Sequence, residues 1–216
     1  MTGSLVRTDG TSAGTAIITS RWPSDHLYSA IAVRGGFLAG LEGDGGFELA
    51  HLGADGTGAT TVADLAPGNG SSDPRSFAPL GQGDDVVFAA GGQSLFGATW
   101  FVADPTGTHV RELTGLQGEP MQGAPPATIE GVTYLVNRVG DDALLYRTDG
   151  TPQGTVLLRH FPGGRFGPPR QLTGFAGEVW FSAQDGVHGE ELWRTDGTPE
   201  MRLERITVAG KVVELR

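Results

Sequence analysis

Histidines are the residues of this chain best suited to acid–base or metal chemistry, and they are spread along it one to a region. No two of them have metal-ligand spacing on a shared strand, and the absence of cysteine excludes thiol nucleophiles, thiolate metal sites and disulfides. The segment LEGDGGFEL has acidic residues and glycines but lacks the full calcium-loop pattern. We therefore predict no metal and no cofactor, with Ca²⁺ at this segment the one exception left open. The histidines are His26, His51, His109, His160 and His188.

Motifs for nucleotide, protease and esterase chemistry are absent as well. The sequence has no GxxxxGK(S/T), HExxH or GxSxG, and GNGSSD lacks the lysine of a phosphate-binding loop. The net charge of −10 argues against nucleic acids and anionic membrane surfaces, which are bound by clustered Lys and Arg. No apolar run reaches the ~20 residues of a spanning helix, and the N-terminus does not resemble a signal peptide. We expect no catalytic residue, no nucleic-acid partner and no membrane insertion.

One turn recurs along the chain. LVRTDGTSAGTAII near the N-terminus returns as LLYRTDGTPQGTVLL and as ELWRTDGTPE, and two weaker copies read GADGTGATTV and ADPTGTHV. A fixed period of this size indicates an array of small structural units. The aspartates of the five turns lie 46, 49, 45 and 47 residues apart, at Asp9, Asp55, Asp104, Asp149 and Asp196.

Each unit contains four short β-type runs separated by glycine-rich turns, for example ATI, TYLV, ALLYR and TVLLRHF. No stretch has convincing helical periodicity. Four antiparallel strands in such a repeat form the blade of a β-propeller. We therefore predict an all-β, five-bladed propeller as a single domain over residues 1–216. Its full blades are expected at about 20–66, 67–114, 115–161 and 162–205.

The fifth blade is predicted to be shared by the two chain ends, residues 4–19 and 206–216. SLVRTDGTSAGTAIITS supplies the third and fourth strands of a unit, and RITVAGKVVELR aligns with LTGFAGEVWFSA as the first and second. The segment from Asp196 to Gly210 is about one strand too short for this alignment. In the alternative, MRLERITV is the outer strand of the fourth blade, the ring is open, and the chain is a fragment of a longer repeat protein.

The repeated turn is predicted to be structural and to join the third strand of a unit to the fourth. Asp-Gly is a favoured hairpin connection with φ > 0 at both positions, and the Asp side chain can accept backbone N–H groups two or three residues on. Gly154 and Thr155 are expected to let the chain turn sharply before the next strand. The predicted turn residues are Asp9, Gly10, Thr11, Asp55, Gly56, Thr57, Asp149, Gly150, Thr151, Asp196, Gly197 and Thr198.

The segment FSAQDGVHGEELWRTDGT, ending at Thr198, resembles the ELWxxDGT repeat family of bacterial proteins. The turns at Asp9 and Asp149 match the second half of the motif, whereas those at Asp55 and Asp104 keep little beyond the period. The resemblance covers nearly the whole chain and implies a propeller-like fold more than an activity. It also implies a secreted or cell-surface location.

Ligands of propellers favour the face opposite the repeated turns, so the irregular loops of that face are the candidate binding loops. Their aromatic, Arg and amide groups suit sugar or peptide recognition. Structural roles compete with this interpretation, since Trp22 and Phe166 could pack between blades and His188 could be a turn residue. Trp180 and Trp193 lie on strands and are expected in the core between sheets. The candidate ligand-binding residues are Trp22, His26, Tyr28, Asn69, Asp73, Arg75, Arg165, Phe166, Arg170, Gln184, Asp185 and His188.

These observations predict a monomeric, non-catalytic binding or scaffold module for an extracellular protein or glycan. A lectin-like propeller is the first alternative, because tachylectin-type propellers have a similar architecture. A glycoside hydrolase with two acidic residues is the second, although the predicted inner strands LYSAIAV, RSFAPL, ATI and RQLTGF contain no carboxylate.

Overall fold

The computed structural model describes residues 5–19, 27–43, 46–55, 58–66, 70–91, 97–163, 167–187, 189–198 and 204–206. These residues form nineteen β-strands and no helix, which confirms the predicted all-β fold. Within this part of the chain, no helix has the length and apolar character needed to cross a membrane. The chain divides into two compact units, unit 1 with residues 1–77 and 84–112, and unit 2 with residues 78–83 and 113–216.

Unit 1 contains a hairpin and two four-stranded antiparallel sheets, in which each strand is hydrogen-bonded to the next along the chain. The last two residues of β7 belong to unit 2. The hairpin consists of β1 (Leu5–Arg7) and β2 (Ala16–Thr19). Sheet I consists of β3 (Leu27–Val33), β4 (Gly36–Gly43), β5 (Gly46–Gly53) and β6 (Thr60–Ala63). Sheet II consists of β7 (Arg75–Pro79), β8 (Val86–Ala90), β9 (Thr99–Ala103) and β10 (Val110–Glu112).

Unit 2 contains sheets III and IV, which have the same strand order. Sheet III has a divided first strand, because β11 and β12 both pair with β13. Its strands are β11 (Glu119–Pro120), β12 (Ala127–Ile129), β13 (Val132–Val139), β14 (Asp142–Thr148) and β15 (Val156–Phe161). Sheet IV consists of β16 (Arg170–Phe175), β17 (Glu178–Gln184), β18 (Glu190–Thr195) and β19 (Glu204–Ile206).

Each unit has its own apolar core between successive sheets. In unit 1, Leu38 and Leu49 of sheet I pack with Phe88 of sheet II, whose ring stacks on Phe77 at 5.2 Å and on Phe101 at 5.8 Å. In unit 2, a core of buried residues from β13 to β18 spans both sheets, including Tyr134, Val136, Leu145, Phe161, Phe181 and Trp193. The apolar run VVFAA of β8 is buried along its whole length. Such continuous apolar runs indicate strands that are covered on both faces.

The last described strand bears on the predicted closing blade. β19 pairs with β18, with Ile206 opposite Leu192, so it is the outer strand of sheet IV. This matches the alternative in which MRLERITV supplies that strand. Residues 207–216 lie outside the described residues, and the shared blade and the count of five blades stay predictions.

Candidate functional site

The repeated turn is closed by one set of hydrogen bonds in its two complete copies, at Asp9 and Asp149. Between β14 and β15, Asp149 Oδ1 accepts the backbone N–H of Thr151 at 2.8 Å and its hydroxyl at 2.7 Å. The Thr151 hydroxyl oxygen accepts the N–H of Gly154 at 3.0 Å, and the Thr155 hydroxyl donates to the Thr151 carbonyl at 2.6 Å. The turn between β1 and β2 has the corresponding bonds around Asp9. At Asp196, Thr198 donates in the same two ways.

Glycine is needed in this turn for two different reasons. Gly10, Gly150 and Gly197 have φ of 89°, 88° and 77°, a region that favours glycine. Gly154 has no such φ, but a Cβ on it would lie 2.0 Å from Asp149 Oδ1. Glycine is therefore required at position 154, because the Asp149 carboxylate lies too close to leave room for a side chain.

The predicted backbone of the turn is wrong at its aspartate. Both central positions were expected at φ > 0, but none of the turn aspartates is among the described non-glycine residues with positive φ. An aspartate on the usual side of the map can direct its carboxylate to the N–H two residues on, which is what Asp149 does. The two-residue hairpin with positive φ at both positions occurs instead between first and second strands, at Glu130-Gly131 and Ala176-Gly177.

The turn carboxylates are committed to bonds inside the turn. Hydrogen bonds from the Thr151 hydroxyl and N–H lower the pKa of Asp149, and Thr11 does the same for Asp9. In the weaker copy, Asp104 accepts from Thr106, Thr108 and His109 Nδ1, the last at 2.6 Å. Burial raises the pKa of Asp104, but these bonds outweigh it and hold the pKa well below its usual range. This end of the sheets, the turn end, is thus structural.

The opposite end, which we call the loop end, carries the connections between sheets. In unit 1, the N–H groups of Ser72 and Asp73 donate to the Phe47 carbonyl at 2.8 and 3.0 Å. The Ser71 hydroxyl donates to Asp73 Oδ1 at 2.8 Å, and Arg75 Nη1 donates to the Asp73 carbonyl at 2.9 Å. The structure therefore brings together two predicted site residues, Asp73 and Arg75.

The buried carboxylate of Glu48 is hydrogen-bonded to the connection between sheets I and II. Glu48 is 5% exposed and accepts both the hydroxyl and the N–H of Ser72, the latter at 3.3 Å. Burial and the nearby charge of Asp64 raise the pKa of Glu48, against the effect of the Ser72 hydrogen bonds. Asp73 and Ser76 have φ of 45° and 55°, so the backbone is strained where this connection leads into β7.

The loop end of unit 2 presents a carboxylate–imidazole pair. Asp142 Oδ2 lies 2.7 Å from His160 Nε2, and Asp142 Oδ1 accepts the N–H of Gly163 at 2.8 Å. The hydrogen bonds from Gly163 and from His160 lower the pKa of Asp142. The two side chains are 36% and 51% exposed, so both can bond to a ligand.

The connection after β15 lies against the loop after β17. The Gln184 N–H donates to the Gly167 carbonyl at 2.8 Å, and a Cβ on Gly186 would lie 2.5 Å from the Pro162 carbonyl oxygen. Asp185 Oδ1 accepts the N–H of Val187 at 2.9 Å, and the Val187 side chain is 78% exposed. Polar groups of sheets III and IV are thus placed at one surface, the loop-end cluster, with Asp142, His160, Gly163, Gln184, Asp185 and Val187.

The other predicted site residues are placed as follows. Arg170 begins β16 opposite Ser182. Tyr28 lies in β3, and its side chain is outside the description. The remaining candidates lie outside the described residues, namely Trp22, His26, Asn69, Arg165, Phe166 and His188, as do Gly56 and Thr57 of the second turn.

Sequence reasoning missed Glu48, Asp142 and His160. Asp142 and His160 are 18 residues apart and match no motif. Counting outward from the turn at Asp149 would not have found them, because a β-bulge between Leu145 and Tyr146 shifts the pairing of β14 with β15 by one residue. The bulge places His160 opposite Leu144, so that Asp142 is its diagonal neighbour on the same face. Glu48 lies in β5 among mostly apolar residues, and a charged residue needs a partner when it is buried.

Among the described residues, no group of three or more His, Asp or Glu side chains could hold a metal ion. Asp44 and Gly45 of LEGDGGFEL lie outside that set. β11, which the sequence did not predict, adds Glu119 to the first strand of sheet III, where Arg138 Nη2 pairs with it at 3.2 Å.

Comparisons with known proteins define the class of fold. No family model matches the sequence, and no curated protein matches it. The chain is similar in structure to a chain of the nidogen/laminin complex, with a TM-score of 0.54, 14% identity and coverage of 95% of this chain and 75% of that chain. It is also similar to an oligogalacturonate lyase in complex with manganese, with a TM-score of 0.57, 17% identity and coverage of 88% and 53%.

A third similar structure is a prolyl endopeptidase, with a TM-score of 0.53, 12% identity and coverage of 82% of this chain and 29% of that chain. This chain therefore spans less than two thirds of both enzyme chains. The similar structures are propeller-like, and with the antiparallel four-stranded sheets they indicate a β-propeller type of fold.

Proposed function

We propose that this chain is a non-catalytic binding module that recognises an extracellular protein or glycan at the loop end of its sheets. The observation that carries the proposal is the loop-end cluster of unit 2, where Asp142 and His160 are half-exposed and Val187 is exposed in the adjacent loop after β17. The turn end has one comparable pair, Asp104 with the exposed His109, but Asp104 also accepts hydrogen bonds from Thr106 and Thr108 of its own turn. The carboxylates of Asp149 and Asp196 likewise accept hydrogen bonds from their own turns. Accessible polar groups next to apolar surface are the usual composition of a recognition site.

We also propose the finer architecture of five blades, closed by residues 4–19 and 206–216 in a shared blade. The 45- to 49-residue period and the shared bonding of the turns at Asp9 and Asp149 support a single repeat family, of the ELWxxDGT type found in bacteria. A secreted or surface location and a monomeric state belong to the same proposal.

Glycan binding is the alternative that the cluster favours most, since carboxylate, imidazole and amide groups pair well with sugar hydroxyls. A glycan array of the full chain tests it, with Asp142→Ala combined with His160→Ala as the loop-end variant. We expect this variant to lose binding and Gln153→Ala, at the exposed turn end, to keep it. Equal binding by both variants would refute the loop-end site, and turnover of fluorogenic glycosides would favour a glycoside hydrolase instead.

A further inference from the structure

One face of sheet IV is buried in the core of unit 2, and the other is partly exposed. Alternate residues of β17 are buried, with Phe181 at 1%. On the opposite side, Trp180 and its cross-strand partner Arg194 are half-buried, while Phe175 is 68% exposed. We call this side the outer face, with Phe175, Trp180, Leu192 and Arg194.

The outer face has a covered counterpart in sheet III. The hairpins at Gly131 and Gly177 have the same φ of 79°, and aligning them places Tyr134 on Trp180. Aligning the two Asp-Gly-Thr turns places Leu145 on Leu192. Tyr134 and Leu145 are 2% and 0% exposed, because they lie in the core that sheet IV completes.

The polar groups of the aromatic side chains also distinguish the covered face of sheet III from the outer face of sheet IV. A Cβ on Gly197 would lie 2.4 Å from the Tyr134 hydroxyl, so this hydroxyl reaches the turn of the sheet that covers it. Trp193, in the core, donates its indole N–H to the Ala183 carbonyl at 3.1 Å. The indole nitrogen of Trp180 is shielded from solvent yet has no hydrogen-bond partner among the described residues. An acceptor is therefore missing on the outer face.

We propose that residues 207–216, TVAGKVVELR, pack against the outer face of sheet IV. This segment follows directly after Ile206 in β19, the outer strand of the same sheet. Ten extended residues span at most ~33 Å, which exceeds the ~15 Å across four strands.

The composition of the segment suits this face. Val208, Val212, Val213 and Leu215 supply apolar cover for Phe175 and Trp180, whereas Arg194 of this face already pairs with Glu178 at 3.1 Å. Backbone carbonyls of the segment supply acceptors for the Trp180 indole. The inference refines the proposed closing blade, and it is independent of ligand binding at the loop end.

Cysteine labelling tests the proposal, because the native chain has no cysteine. Thr173 lies opposite Trp180 on the outer face, and Gln153 is an exposed residue of the turn end. In the full chain we expect Thr173→Cys to react about tenfold more slowly than Gln153→Cys, as for a site protected by local structure. Val213→Asp with Leu215→Asp should restore fast labelling of Thr173→Cys without changing the control.

Three outcomes would overturn the proposal. The first is equal labelling of Thr173→Cys and Gln153→Cys in the otherwise unmodified chain. The second is protection that persists in the double aspartate variant, and the third is protection that grows with protein concentration, which would indicate cover by a second copy. Circular dichroism verifies that the variants fold, and Leu215→Ser replaces the double variant if it does not. A variant that loses ligand binding but keeps its labelling rates does not count against the proposal.

Discussion

Sheets III and IV come from adjacent repeats with related sequences, yet only sheet III is buried on both faces. In β13, Leu135 on one face and Val136 on the other are 0% and 1% exposed. In β17 burial alternates, and Trp180 stays half-buried although its counterpart Tyr134 is buried. The repeats therefore place an aromatic residue at the same position of each sheet. Whether that residue is buried depends on whether another sheet packs against its face.

The Asp-Gly-Thr turns of sheets III and IV also differ, and again sheet III has the more complete set of contacts. Sheet III completes its turn with Gly154 and Thr155, whose hydroxyl lies 2.7 Å from that of Thr148. Sheet IV has Met201 and Arg202 at the aligned positions of the sequence, while Thr195 still accepts the Gly197 N–H at 3.0 Å. The first half of the turn therefore forms with or without the second-half residues, which makes the two halves separable by mutation.

The largest difference is expected between the two faces of sheet IV. Phe181→Ala removes a fully buried ring that packs edge-on to Phe161, and should lower the free energy of unfolding by about 3–5 kcal/mol. Phe175→Ala, on the outer face, should cost about 1 kcal/mol, because a single terminal segment, residues 207–216, is proposed to cover this ring. Urea unfolding followed by circular dichroism measures both. Equal losses would mean that the two faces of sheet IV are covered alike.

Gly154→Ala should give the next largest effect, because its Cβ would lie 2.0 Å from Asp149 Oδ1 and force the carboxylate out of the turn. We expect a loss of about 2–3 kcal/mol in the free energy of unfolding. Gln153→Ala, the exposed neighbour, should change it by less than about 0.5 kcal/mol. If Gly154→Ala is as mild as this control, the close approach does not constrain the turn.

Thr155→Ala removes the hydroxyl that bonds to the Thr151 carbonyl and to Thr148 in sheet III. The expected loss is about 1–2 kcal/mol, since Thr148 is buried and loses a partner. Thr155→Ser keeps the hydroxyl and should recover most of the stability. A serine variant as unstable as the alanine variant would point to the methyl group instead of the hydrogen bonds.

The smallest effect concerns pH. The hydrogen bonds of Thr151 lower the folded-state pKa of Asp149 below its ordinary value of 3.8. A lowered pKa stabilises the fold above the unfolded pKa, and this contribution is lost as the pH falls through the folded value. Asp149→Asn should therefore shift the urea midpoint downward at about pH 7 and much less at about pH 2. A difference that is constant with pH would show that the carboxylate charge does not contribute.

The strand order and the turn positions could be predicted because they repeat. ATI, LYSAIAV and RQLTGF coincide with β12, β3 and β16, since short apolar runs between glycine turns leave little choice of boundary. The core position of Trp193 was also predicted correctly, and it is 3% exposed.

Features that depend on individual side-chain contacts could not be predicted in this way. The sequence placed Trp180 in a core between sheets, but its exposure depends on a neighbour that no local pattern reveals. The requirement for glycine at position 154 comes from the carboxylate of Asp149, and the buried Glu48 accepts hydrogen bonds from Ser72, 24 residues away. The pairing of Asp142 with His160 follows from the hairpin register and not from a motif.

The lengths of the outermost strands limit how these sheets can extend into larger assemblies. β10 and β19 have three residues each and β6 has four, so each offers few backbone groups for pairing with a strand of another molecule. β15 is longer, with six residues, and carries the exposed Arg159 and His160. Charged and polar side chains on an outermost strand hinder its pairing with a strand of another molecule, so β15 is protected by its side chains, whereas the other outer strands are protected by their short length.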